Sequence, residues 1–236
     1  MFFIKRSKIV VDCFTHSLNA YDLFPIAKAT EYYPDWWKAT PNSHLVDNLF
    51  HKATIKSCSG LIEYYKSGYT LPLWTDINFD IDNGVYRWVP ADGETKIDIH
   101  PIHEIDKYIK STEYGHVKIN SPWAFKSKSD INWLYSDLYW NHSPIENYSL
   151  PPGVVNYKYQ HTTHINLFLP LKENKRFCLT AGNPMVYLLP LSEKEIVIKH
   201  HLIDKVEFEN YFRTRISFLN SYKKRMKILK NKCPFA

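Results

Sequence analysis

The chain has 236 residues, 44% of them hydrophobic and 16% aromatic, which excludes a disordered polymer and allows a sizeable core. Seven Trp and seventeen Tyr exceed what a core of this size requires, so some of the rings are expected to line a pocket or an interface. The formal charge of +6 is a tail property. After Glu209 come eight basic residues and no acidic one, leaving the rest nearly neutral at 22 basic against 24 acidic side chains.

The opening segment, Phe2 to Phe14, reads as a strand around Ile9-Val10-Val11, and Lys5, Arg6 and Lys8 bar it from being a signal-peptide core. No run approaches the ~18 apolar residues of a membrane span. Cys13, Cys58, Cys178 and Cys233 lie far apart with no CxxC pair, which suits reduced thiols. Together these features predict a soluble protein of the cytoplasm with no membrane partner. Residues 15–50 are turn-rich, broken by Pro25, Pro34 and Pro41, and carry the densest aromatic cluster, Tyr33-Pro34-Asp35-Trp36-Trp37-Lys38. A short helix is expected from Gly60 to Lys66, ended by Gly68 in the left-handed conformation.

From Leu71 to Ile81 apolar and polar residues alternate as in one strand. Asn83-Gly84 forms a two-residue turn, and Val85 to Val89 returns. Asp92-Gly93 is a second turn, and Lys96 to Ile99 is expected as the third strand of this meander; a short helix or loop over 103–115 follows. Strands are then expected at Val117–Lys126, Ile131–Tyr135, Gly153–Val155, His161–Leu169, Phe177–Leu179, Met185–Leu191 and Glu195–Leu202. The run Met185-Val186-Tyr187-Leu188-Leu189 is apolar on both faces, as in a central strand covered on both sides. Phe208, Phe212, Leu219, Tyr222, Met226 and Leu229 recur at three- and four-residue steps, predicting a helix from Val206 to Lys230.

Several blocks in this order resemble an uncharacterised family of tailed phages, especially T4-like phages of marine cyanobacteria. They are the 33–38 cluster, Cys58-Ser59-Gly60, Gly68-Tyr69-Thr70-Leu71-Pro72-Leu73-Trp74-Thr75-Asp76, Ser121-Pro122-Trp123, Leu150-Pro151-Pro152-Gly153-Val154-Val155-Asn156, His164-Ile165-Asn166-Leu167 and Gly182-Asn183-Pro184 leading into Leu188-Leu189-Pro190-Leu191. The likeness spans roughly residues 30–195. It implies a phage-encoded protein made in the host bacterial cytoplasm, and it carries over no catalytic residue. The Gly-Val-Val-Asn, strand, Gly-x-Pro, apolar-strand pattern is also loosely similar to the end of the dUTPase barrel, whose phosphate- and uracil-binding motifs are not evident here.

Candidate chemistry is sparse. Asp76, Asn78, Asp80 and Asp82 form an acidic stripe suited to a solvated strand face. Their spacing fails the calcium loop, which needs a glycine where Asn83 stands. His161 and His164 are three apart and project to opposite faces of a strand unless a bulge intervenes, and His200 and His201 diverge likewise. Pro101 breaks the helix that would align His100, His103 and Glu104. A non-haem Fe(II) site needs two His and a carboxylate on one face, and His164, His200 and Asp76 are the set a barrel could gather. The His-x-Asp pair of 2-oxoglutarate oxygenases is absent. No nucleophile elbow, Walker loop, dinucleotide fingerprint or zinc-finger spacing occurs, and seven scattered glycines offer no phosphate-cradling loop. Lys223, Lys224, Arg225, Lys227, Lys230 and Lys232 could contact nucleic-acid phosphates or form a solvated helix face.

The expected architecture is mostly β: a β-sandwich or cupin-like, jelly-roll barrel over 71–203. An irregular aromatic-rich segment, 1–70, precedes it, and a basic amphipathic helix, 204–232, follows. The leading expectation for function is an accessory protein that binds a partner or small ligand through an aromatic cleft built on Trp36, Trp37, Trp74 and Trp123. The alternative is an Fe(II)-dependent oxygenase-like enzyme using His164, His200 and Asp76.

Overall fold

The computed structural model describes residues 8–47, 49–101, 107–110, 112–141 and 148–212, and these are mostly β. The strands are β1 (Lys8–Thr15), β2 (Ala27–Lys28), β3 (Ser43–Val46), β4 (Phe50–Ala53), β5 (Tyr69–Pro72), β6 (Ile77–Asp82), β7 (Val85–Pro90), β8 (Ile97–Ile99), β9 (Tyr114–Ser127), β10 (Trp133–Ser136), β11 (Gly153–Val155), β12 (Thr162–Pro170), β13 (Lys175–Leu179), β14 (Pro184–Pro190) and β15 (Glu195–Leu202). The helices are α1 (Asp35–Ala39), α2 (Ser59–Ser67) and α3 (Lys205–Phe212). No helix among the described residues is long and apolar enough to cross a membrane.

One five-stranded sheet runs β12-β9-β1-β15, with β8 also paired to β9; a second runs β11-β10-β14-β5-β2. A three-stranded sheet, β13-β6-β7, and the isolated hairpin β3-β4 complete the described β structure. The period of two drives the packing: Ile9, Val11 and Cys13 of β1 point inward, as do Val117 and Ile119 of β9 and Ile165 and Leu167 of β12. They meet Leu71, Trp133, Val186 and Leu188 of the second sheet and Ile77, Phe79 and Ile81 of the third in one apolar core. Removing these side chains from water is the main stabilising term. β1 is an inner strand, parallel to β15 and antiparallel to β9, so Lys8–Thr15 is built into the first sheet.

β9 is the spine of that sheet and is not regular. Thr162 pairs with Ala124 while His164 pairs with Asn120, so the single residue Thr163 of β12 faces three of β9. These are Ser121-Pro122-Trp123, where Pro122 has no N–H to give the ladder and the Trp123 N–H donates to Ser121 Oγ at 3.1 Å.

The turn at Asn83-Gly84 has φ of 49° and 77°, as a two-residue hairpin requires. β14 lies between β10 and β5 with Val186 and Leu188 in the main core and Tyr187 in a second cluster, so this strand is covered on both sides. Three expectations are corrected. The stretch 71–81 is not one strand: Leu71, Leu73, Trp74 and Thr75 are all buried, and the chain passes from the second sheet to the third there, held by Leu73 N–H to Asn183 O (2.9 Å) and Ala181 N–H to Asp76 Oδ1 (2.7 Å). The meander's third strand, β8, leaves its neighbours and pairs with β9. The place beside β6 is taken by β13, whose Phe177 stacks on Phe79 at 5.2 Å. Gly68 is extended, with φ −93° and ψ 169°, and not left-handed. It is glycine because Tyr187 occupies the space of a side chain: a Cβ there would lie 1.9 Å from Tyr187 Cε2. The last element is helical over Lys205–Phe212; the remainder of the expected helix lies outside the described residues, as do 103–106 and 111 of the 103–115 segment.

Candidate functional site

The second aromatic cluster covers the side of β14 that faces away from the main core. α2 places Leu61 and Tyr65 four residues apart on one face, where they pack with Trp37, Ala29, Leu138 and Tyr187. Pro34 precedes α1, Asp35 lies in its first turn and Lys38 in its last, the polarity its dipole favours. α1 seats Trp37 against Tyr33, stacked at 5.4 Å, and leaves Trp36 on the outside.

This layer is tied by hydroxyls as well as rings. Tyr64 stacks on Tyr187 at 4.2 Å, and the Tyr187 hydroxyl donates to the Tyr64 carbonyl. The Tyr65 hydroxyl donates to Asn141 Oδ1 at 2.7 Å, and Asn141 Nδ2 donates to the Tyr32 carbonyl. Burial, and then the neighbouring tyrosines, push the Tyr64 and Tyr65 phenols well above their ordinary value, so they stay neutral donors. At the rim, Trp36 Nε1 donates to the Trp140 carbonyl at 2.9 Å and the two rings lie 6.3 Å apart, with Tyr139 against Trp140 at 5.7 Å. Trp36 is 41% exposed, Trp140 39% and Tyr139 57%, leaving roughly 300 Å² of contiguous aromatic surface in water. Trp140 and Tyr139 went unnoticed in the sequence, although a second adjacent aromatic pair beside a Pro-bearing loop was there to be read.

The other two candidate tryptophans are elsewhere. Trp74 is buried, and its Nε1 donates to Thr95 Oγ1 (2.9 Å), which donates in turn to Asp92 Oδ2 (2.6 Å). It forms a wall of a cleft of about 240 Å³ at the β9 bulge, lined also by His16, Lys96, Ser121, Lys205 and Glu209. Lys205 pairs there with Glu94 at 3.6 Å, and burial followed by the Lys205 charge lowers the His16 pKa. Trp123 is fully buried in the main core, edge-on to His200 at 5.3 Å. The four tryptophans therefore divide: Trp36 and Trp37 in the outer layer, Trp74 in the cleft wall, Trp123 in the core.

His164, His200 and Asp76 are not brought together. Asp76 holds the Ala181 N–H between the second and third sheets. His164 stands opposite Asn120 on the face of the first sheet away from the core; burial, and then the Lys118 charge, lower its pKa to about 4. His200 shares the inward phase of Ile196 and Ile198, and burial lowers its pKa too. Among the described residues no group of three or more His, Cys, Asp or Glu could hold a metal ion. The bulge beside His164 does not align it with His161, whose Nδ1 lies 2.9 Å from the Phe125 carbonyl. His201 pairs with Asp12 at 2.8 Å. In the acidic stripe, Asp80 meets Arg176 at 3.1 Å and Asp82 accepts from Asn83 and Asn174 at 3.1 Å each. His103, Glu104, Cys233 and the basic residues from Lys223 to Lys232 lie outside the described residues.

No protein-family model and no curated protein matches the chain.

Proposed function

We propose that the protein is a non-catalytic binding protein whose partner docks on the rim formed by Trp36, Tyr139 and Trp140. The observation that carries this reading is the half-open state of three rings on a rigid base. Trp36 is pinned through its Nε1, and the cluster beneath is closed by stacking and hydroxyl bonds. Trp and Tyr dominate the energetics of protein interfaces because they bring large apolar area at little conformational cost. A pre-positioned patch of a few hundred Å² is comparable to the largest apolar patch of an ordinary monomer, which is often functional.

Two five-stranded sheets around one core support reading the architecture as a β-sandwich of the jelly-roll kind. The resemblance to the tailed-phage family supports an accessory role in an infected bacterial cytoplasm, with a protein as the partner. The test is capture from cells that make the protein, comparing wild type, the double variant Trp36→Ala/Trp140→Ala, and Leu23→Ala at an exposed site outside the rim. A defined protein held by wild type and Leu23→Ala and lost by the double variant is the expected result. Equal retention by all three, or about one iron per purified chain with no retained protein, would overturn the reading; the second result favours the oxygenase-like alternative.

A further inference from the structure

The cleft at the β9 bulge is built by four separate segments: the end of β1, the turn between β7 and β8, the bulge itself and α3. Its floor is neutral and largely aromatic. Trp74 is buried, Pro122 and Phe208 are half-buried, and His16 lies edge-on to Phe208 at 4.9 Å. Burial and then the Lys205 charge lower the His16 pKa against the opposing pull of Glu94 and Glu209, which keeps the imidazole uncharged at neutral pH. Bulges re-aim side chains and are over-represented beside functional sites; this one turns Trp123 into the core and leaves Pro122 in the cleft wall.

The charges around this floor fall into two groups. Asp92 is committed to its own turn, accepting from the Glu94 and Thr95 N–H groups (3.1 and 3.0 Å) and from the Thr95 hydroxyl (2.6 Å). Glu94 pairs with Lys205 at 3.6 Å. One cation and one anion are left. Lys96 and Glu209 both line the cleft and are exposed, and neither side chain is bonded to the other or to any described residue. Two opposite charges held apart over a neutral floor are complementary to a molecule that carries both signs. The volume of about 240 Å³ lies below the ~300–1,000 Å³ of sites for drug-sized ligands, so it suits an amino acid and not a nucleotide. A single free cation also matches one carboxylate and not a chain of phosphates.

We propose that this cleft binds a small zwitterion of the amino-acid class, with its carboxylate at Lys96 Nζ, its ammonium at the Glu209 carboxylate and an aromatic or apolar side chain against Trp74, Pro122 and Phe208. The site shares no residue with the Trp36 rim and does not depend on what docks there.

L-Phenylalanine is the probe, titrated into the full chain and followed by saturation-transfer NMR. Phenethylamine, which lacks the carboxylate, and 3-phenylpropanoate, which lacks the ammonium, are its single-charge analogues. A ligand of this size is expected to bind with Kd on the order of 1 mM. Each analogue loses one exposed ion pair and should bind about three- to fivefold more weakly. Lys96→Met should abolish the preference over phenethylamine and keep the preference over 3-phenylpropanoate; Glu209→Gln should do the converse. Both positions are exposed, so the fold persists, checked by an unchanged circular dichroism spectrum, and Lys199→Met, exposed and outside the cleft, should leave both preferences intact. A general loosening of the structure would not exchange the two preferences in this way. Phenylalanine that fails to saturate the protein well above the expected Kd, analogues that bind as tightly as phenylalanine, or preferences unchanged by Lys96→Met and Glu209→Gln would overturn the proposal.

Discussion

Gly68→Ala tests the packing of the second aromatic cluster and has a sign that two physical pictures dispute. At φ −93° and ψ 169° alanine is as comfortable as glycine, so on backbone grounds alone the substitution stabilises by about 0.4–1 kcal/mol through the unfolded chain. The new Cβ, however, would sit 1.9 Å from Tyr187 Cε2, 2.4 Å from Cζ and 2.6 Å from the hydroxyl oxygen, against a carbon–carbon optimum of about 3.5–4 Å. Tyr187 cannot yield cheaply. It is 1% exposed, stacked on Tyr64 and bonded to the Tyr64 carbonyl, on a strand held from both sides by β10 and β5. Overpacking costs about 1–3 kcal/mol, the lost stack about 0.5–1.5 kcal/mol, and an unpaired buried hydroxyl about 1–3 kcal/mol. The net expectation is a loss of about 3–5 kcal/mol, a large part of a typical domain's stability. Urea unfolding followed by far-UV circular dichroism measures it. In the background of Tyr187→Leu, which removes the wall, Gly68→Ala should cost less than about 1 kcal/mol, so the cycle has a coupling of at least 2 kcal/mol. Stabilisation by Gly68→Ala, or equal effects in both backgrounds, would refute the reasoning.

Three further outcomes follow from individual side chains. The His164 imidazole has a folded pKa of about 4 against about 6.5 unfolded, so the unfolded state binds more protons between those values. Its contribution is therefore complete above pH ~6.5 and is lost as pH falls toward 4. Wild type should lose about 2 kcal/mol more than His164→Gln between pH 7 and pH 5 in urea titrations, and parallel curves would contradict the shift. Thr95→Val removes the acceptor of Trp74 Nε1 and should cost about 1–3 kcal/mol by thermal unfolding, while Thr95→Ser should stay within about 0.5 kcal/mol; equal losses would mean that the methyl group contributes as much as the hydroxyl, and no loss in Thr95→Val that the hydroxyl contributes nothing. Arg176→Ala breaks an ion pair with Asp80 whose arginine side chain is 84% in water, so the unfolding free energy from urea titration should change by less than about 0.5 kcal/mol; a larger change would show that this row of the third sheet is more than a solvated surface.

Local sequence signals were readable where short-range chemistry decides the outcome. Asn83-Gly84 fixed a hairpin because positive φ at two successive residues leaves few alternatives, and 185–189 declared a doubly covered strand by being apolar on both faces. The errors share one cause, a partner distant in sequence. Gly68 looked like a helix cap because the ring that excludes its side chain lies 119 positions later, at Tyr187. β8 looked like the end of a meander because nothing nearby announced that β13 would claim the place beside β6. The tryptophans divided for the same reason: a ring's residue type says that it will be buried or bind, whereas sheet pairing decides which. Trp123 follows a proline that forces a bulge and so turns into the core; Trp36 ends on the open side of a helix too short to cover both of its aromatic residues. Placement by long-range pairing also explains why histidines that seemed able to converge do not. His164 and His200 sit on opposite faces of the same sheet, and a sheet separates alternate side chains more surely than any local motif can gather them.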